Sequence, residues 1–259
     1  MTVSREVVFL LDVDNTLLDS DRIVADLRTH LDQTLGALGA SRYWEVFENA
    51  RGELGYVDYL GALQRYRTAD ASRATNDPRL LGVANFLIDY PFAERLYPGA
   101  LAVIAALNRF GRTVILSDGD LVFQPLKIRR AGLWQATSGR VLVCIHKETM
   151  LESMQHRYPA RHYVMFDDKL RVLTAMKAVM QDRLTVVFTR QGHYATDPAT
   201  LASCPEADLN LERIGDLLQW DLRALRQLWE QSETPVRKSL ALGQASKMLA
   251  GLYQRLQDV

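Results

Sequence analysis

The segment Phe9-Leu-Leu-Asp12-Val-Asp14-Asn-Thr16 ends an apolar run with two carboxylates one residue apart. One Asp in that place has an ordinary use, because Asp is favoured as the cap of a helix such as the one Leu17 and Leu18 begin. A second Asp is not explained that way. Carboxylates can attack an electrophile, move a proton, or hold a hard cation. Other polar residues stand at equivalent places: TVILSD closes on Ser117 and Asp118, RVLVCIH on His146 with Lys147 next, HYVMFDD on Asp167 and Asp168, and LTVVFTR on Arg190. Acids, a hydroxyl and an ammonium at one locus could bind and process an anion.

These residues can meet only if the apolar runs before them are neighbouring strands. The runs are short and β-branched, and LAVIAALNRFG, LKIRRAGLW, ETMLESMQHRY and LRVLTAMKAVMQ between them carry helical spacing. Such alternation predicts a doubly wound α/β core, a parallel sheet with helices on both faces. In that architecture ligands bind beyond the carboxyl ends of the strands, where the strand order reverses. The strand-end residues therefore converge on one face.

The alternation is interrupted between Asp21 and Leu96. LRTHLDQTLGALGA is expected to end near Gly36 or Gly39 and SRYWEVFENARGELG near Gly55, followed by the helical patterns YVDYLGALQRYR and PRLLGVANFLIDY. The division expected is a discontinuous core over residues 1–20 and 96–220, an inserted all-helical cap over 21–95, and a C-terminal helical extension over 221–259. Residues 190–213 read as a loop, and Leu249, Leu252, Tyr253 and Leu256 form a helical stripe read as packing against the core.

With 31 basic against 31 acidic residues among 259, the formal charge is +0, so no global basic field draws nucleic acid or an anionic membrane. Cys144 and Cys204 lack CxxC spacing and are expected to be reduced, inert thiols. No apolar run is long enough for a signal core or a membrane span, and a soluble cytoplasmic protein is expected. Monomer and homodimer both stay open.

The set Asp12-Val-Asp14-Asn-Thr16, Ser117, Lys147 and Asp167-Asp168, in that order, resembles the four motifs of the haloacid dehalogenase superfamily of hydrolases, over roughly residues 5–220. The helical insertion between the first two motifs is similar to the cap of many members. The resemblance implies a Rossmann-like core, Asp12 as nucleophile and Asp14 as general acid and base. It also implies Mg²⁺ held by Asp12, the backbone carbonyl of Asp14 and Asp167, with Asp168 supporting it through water. Lys147 and Ser117 would hold phosphoryl oxygens. Repulsion between carboxylates is expected to raise the Asp14 pKa while the metal keeps Asp12 ionised. Many members carry a further acid soon after the fourth motif; here Lys169, Leu170, Arg171 and Val172 follow, with no acid before Asp182.

The expected activity is Mg²⁺-dependent hydrolysis of a small phosphorylated metabolite through an aspartyl-phosphate. A phosphomutase, a dehalogenase and a catalytically inactive binding member are the alternatives. Asp14 favours phosphate over halide, since halide needs no proton on leaving. Lys127 is read as lying on a solvated helix face, His146 as a structural residue at a strand end, and RQGHY with His193 equally as pocket lining or as a plain loop. Trp44, Phe47 and Tyr59 are read as cap core.

Overall fold

The computed structural model describes residues 5–70 and 77–223. Its centre is a parallel six-stranded sheet in the order β3-β2-β1-β4-β5-β6. The strands are β1 (Arg5–Leu11), β2 (Arg112–Asp118), β3 (Val141–Cys144), β4 (Ala160–Asp167), β5 (Leu184–Thr189) and β6 (Leu209–Leu211). The alternating side chains of β1 explain its central place. Val7, Phe9 and Leu11 enter the apolar cluster on one face of the sheet, and Val8 and Leu10 enter the cluster on the other. A strand buried on both faces has to read as a continuous apolar run, which is the signature of parallel sheets.

Helix α4 (Ala100–Leu107) supplies Val103, Ile104 and Leu107 to the first cluster. Helices α7 (Leu151–Arg157) and α8 (Leu170–Met180) supply Met154, Leu173 and Met176 to the second. Between β2 and β3 lie α5 (Phe123–Arg130) and α6 (Leu133–Ala136). The chain builds outward from β1 to β3, then crosses back to place β4 on the other side of β1. The switch point therefore falls at the carboxyl ends of β1 and β4. Register pairs Leu11 with Phe166, which sets Asp12 beside Asp167, and the Asp12 amide donates to the Phe166 carbonyl at 3.0 Å.

The insertion after β1 is helical, as expected. Helix α1 (Ser20–Leu54) starts at Asp19, whose side chain accepts from the Arg22 amide at 2.9 Å, and closes on left-handed Gly55. The expected break near Gly36 is instead a kink inside one long helix, with Gly36 at φ 72° and ψ 165°. Only a residue without a Cβ takes that backbone readily, and the helix resumes because Tyr43, Phe47 and Ala50 bury the next face. Helices α2 (Tyr59–Thr68) and α3 (Pro78–Asp89) begin at capping residues Asp58 and Asp77. Tyr43, Phe47 and Tyr66 are buried among these helices, and His30 stacks on Phe86 at 4.3 Å. Phe47 is core as expected, while Trp44 and Tyr59 are partly buried; the Arg28 guanidinium covers Trp44 at 4.2 Å.

The stretch read as a loop after Thr189 contains α9 (Pro198–Ser203), capped by Asp197, and the sixth strand, β6. Leu209 and Leu211 of β6 are buried and Asn210 is exposed. The helices expected beyond Arg223 lie outside the described residues. Among the described residues, no helix is long and apolar enough to cross a membrane.

Candidate active site

Beyond the end of β1, residues 13–18 form a tight turn in which the amides of Thr16, Leu17 and Leu18 all donate to the Val13 carbonyl. Asn15 sits in the left-handed region at φ 56°, a conformation Asn tolerates better than most side chains. Its side chain holds the turn: Oδ1 accepts from the amides of Ser20 (3.0 Å) and Asp21 (3.2 Å), and Nδ2 donates to Asp21 at 3.0 Å. The loop after β5 braces the same turn, with Gln191 Nε2 donating to the Thr16 carbonyl at 3.1 Å. A Cβ on Gly192, at φ +73°, would stand 2.4 Å from the Asn15 side chain. His193, exposed, pairs through Nδ1 with Asp21 at 2.6 Å. The sequence RQGHY is thus a brace for the first motif.

The turn lets Asp12 leave the strand pointing at the ends of β3 and β4. Lys147, 1% exposed, sits between two acids, with Nζ 2.5 Å from Asp12 Oδ1 and 2.6 Å from Asp167 Oδ2. Its backbone is held as well, since the Lys147 amide donates to Asp118 at 2.7 Å. Asp167 ends β4 and accepts from the Lys169 amide at 2.8 Å, so the chain turns there and the adjacent Asp168 reaches the same place. Carboxylate oxygens of Asp12, Asp167 and Asp168 lie within 4.8 Å of one another. Asp168 is 0% exposed, and neither of its oxygens, nor Oδ2 of Asp12, has a hydrogen-bond partner among the described residues.

Three buried carboxylates crowd around the Lys147 ammonium, with Lys169 as a second cation acting on them. Burial, opposed by Lys147 and reinforced by Asp167, pushes the Asp12 pKa up to about 6. Burial together with Asp167 and Asp12 pushes Asp168 up to about 9. Burial works against the Lys147 ammonium, but Asp12 and Asp167 outweigh it and its pKa rises. The donor set fits a hard cation: all-oxygen, acidic, and with buried lone pairs left over.

Asp14 stands apart from this trio, with a set of donors of its own. Lys127 Nζ and Ser20 Oγ both donate to its Oδ1, and Gln124 Nε2 donates to Oδ2 at 2.9 Å. The same Gln124 nitrogen lies 2.9 Å from Ser117 Oγ. Two expectations are corrected here. Lys127 is not on a solvated face: it is 5% exposed and ion-paired with Asp14. Nor is the Asp14 pKa raised. Burial does push it up, but Lys127, Ser20 and Gln124 prevail and hold it at about 2.

The structure thus gathers Asp12, Lys147, Asp167 and Asp168 at one point, and links Asp14 to Ser117 through Gln124. Reading only strand ends overlooked Gln124 and set Lys127 aside as a solvated residue. Their signal lay in α5, whose buried stripe Phe123, Gln124, Lys127 and Ile128 interleaves two polar side chains with apolar ones. His146, at φ 57°, lies two residues beyond the end of β3 rather than at it, and stands against Gly55 of the cap.

A hydrolase of the doubly wound class, with acids at the switch point and a helical insertion after the first strand, is what this fold and site define. A family model for haloacid dehalogenase-like hydrolases matches residues 7–179, and the chain belongs to that family. A solved haloacid dehalogenase-like hydrolase from Burkholderia xenovorans is 58% identical, with 85% of this chain and 98% of that one covered at a TM-score of 0.79. A Bacillus subtilis HAD hydrolase solved with magnesium bound is 15% identical, covering 83% and 98% of the two chains at a TM-score of 0.55. The L-2-haloacid dehalogenase of Xanthobacter autotrophicus is 16% identical, covering 82% and 96% at a TM-score of 0.51. These last two share the fold. Among curated proteins none matches.

Proposed function

We propose that the protein is a Mg²⁺-dependent phosphatase acting on a small phosphorylated metabolite, with Asp12 as nucleophile. The observation that carries this reading is the buried trio of Asp12, Asp167 and Asp168, whose unpartnered oxygens call for a cation. When bound there, Mg²⁺ would offset the negative charge of both the carboxylates and a phosphoryl group. Displacing halide from carbon brings no dianion to the site and gives such a trio no comparable use.

In the first step an oxygen of Asp12 forms a bond to phosphorus, the ester P–O bond breaks, and its electron pair leaves on the alcohol oxygen. That oxygen takes a proton from Asp14, which is ionised in the free protein and receives that proton from the monoanionic phosphate ester as it binds. In the second step water attacks phosphorus, its proton passes to the Asp14 carboxylate, and the Asp12–phosphorus bond breaks. Asp14 is ionised in the free protein, the form the second step needs. Lys147 keeps Asp12 ionised and offers positive charge to the phosphoryl oxygens, and the Ser117 hydroxyl donates to one of them.

The test is a panel of phosphate esters and 2-halogenated acids assayed for free phosphate and free halide, with and without Mg²⁺. Metal-dependent phosphate release supports the phosphatase. Halide release without phosphate release would refute it in favour of the dehalogenase.

A further inference from the structure

We propose that Gln124 and Lys127 of α5 are a positioning pair that fixes the Asp14 carboxylate and sets which way the Ser117 hydroxyl points. The proposal rests on the phosphatase reading for its kinetic consequences, but the geometry behind it is independent of that reading.

Residues three apart on a helix share a face, and here the face is turned inward: Gln124 and Lys127 are both buried between Phe123 and Ile128. An ammonium in that position is expensive unless paired, and a methionine of similar volume would fill the space without a charge. Lys127 instead reaches across from α5 to Asp14. Its side chain is 7% exposed against 26% for Asp14, so the ammonium approaches from the protein side and leaves the carboxylate open outward.

The platform is anchored at its start. Asp120 Oδ1 accepts from the amides of Val122 (2.8 Å) and Phe123 (2.7 Å), fixing the start of α5. Phe123 is then held edge-on by Tyr59 of the cap at 5.6 Å and by Phe92 at 5.8 Å.

Gln124 adds direction. Its amide nitrogen carries two hydrogens, and the acceptors at 2.9 Å are Asp14 Oδ2 and Ser117 Oγ. With the amide oriented this way, Ser117 Oγ is an acceptor toward Gln124. Its own hydrogen is therefore free to be donated to an anion. The same amide keeps the proton-carrying Asp14 and the anion-holding Ser117 at a fixed separation.

The experiment compares wild type with Lys127→Met, Lys127→Arg and Gln124→Glu on an alkyl phosphate and on p-nitrophenyl phosphate, together with crystal structures of the variants. A poor leaving group needs the proton from Asp14; p-nitrophenolate leaves with little help. Lys127→Met is expected to lower kcat on the alkyl ester by about 100-fold, the scale of loss from a misplaced catalytic group, with KM nearly unchanged. On the aryl ester the loss should stay under about 10-fold. Lys127→Arg should restore most of the difference. Gln124→Glu, which replaces a donor by an acceptor, should raise KM on both esters and turn the Asp14 and Ser117 side chains away from one another.

Equal kcat losses on the two esters from Lys127→Met, or no loss, would overturn the positioning role. So would crystal structures of Lys127→Met and Gln124→Glu in which Asp14 and Ser117 keep their places. Absence of phosphate release from wild type overturns the phosphatase reading instead, and the variant structures then decide the positioning claim by themselves.

Discussion

Removing the Lys147 ammonium would leave Asp12 and Asp167 buried without their shared counter-charge. Breaking a buried ion pair from one side costs about 3–5 kcal/mol, so Lys147→Met should destabilise the metal-free protein on that scale in urea unfolding at pH 8. A loss under about 1 kcal/mol would mean that water reaches the trio. Asp168 makes an opposite prediction. Its pKa is raised to about 9 in the fold, so below the unfolded carboxylate value of about 4 both states carry the proton. As pH rises from there through about 9, the unfolded chain has given up the proton while the folded chain still binds it, and stability falls. Asp168→Asn should therefore stabilise the chelator-treated protein at pH 8 and lose that advantage toward pH 4, as read from unfolding midpoints across pH. A variant less stable than wild type at pH 8 would show that Asp168 is charged and paired there.

Among the elements, the brace after β5 bears most directly on Asp12, because it holds the turn from which the side chain projects. An added methyl at Gly192 meets both an unfavourable φ and the Asn15 side chain. Gly192→Ala should cost about 1–3 kcal/mol and lower activity together with stability; unchanged stability would mean the loop is not packed on Asn15. Five strands were legible as β-branched runs because β1, β2, β4 and β5 are buried on both faces, and the shorter, partly buried β3 keeps the same apolar run. The sixth was not: β6 is three residues long, too short to show a period. The kink at Gly36 was read as an end because glycine spacing marks a break, whereas burial of Tyr43 and Phe47 beyond it continues the helix. At the site, the acids and Lys147 were visible from strand-end position alone. Lys127 was not, since its role depends on which face of α5 turns inward, and a lysine on a helix is ordinarily solvated.

For the molecule as a whole, the sheet order gathers three buried carboxylates at its switch point while the full chain is neutral. A cation that binds only the folded state must then stabilise it by mass action. Mg²⁺ should raise the unfolding temperature of chelator-treated protein, and Asp168→Asn should diminish that rise, inverting its advantage in the metal-free form. No shift with Mg²⁺ would argue that protonation alone balances the trio. The central claim is phosphoryl transfer to Asp12, and acid-quenched protein taken during turnover of a phosphate ester tests it most directly by mass spectrometry. Wild type should gain one phosphoryl group on the peptide that carries Asp12, and Asp12→Asn should gain none. Phosphate release with no modified peptide, or a phosphoryl group carried by the Asp12→Asn protein, would contradict the account.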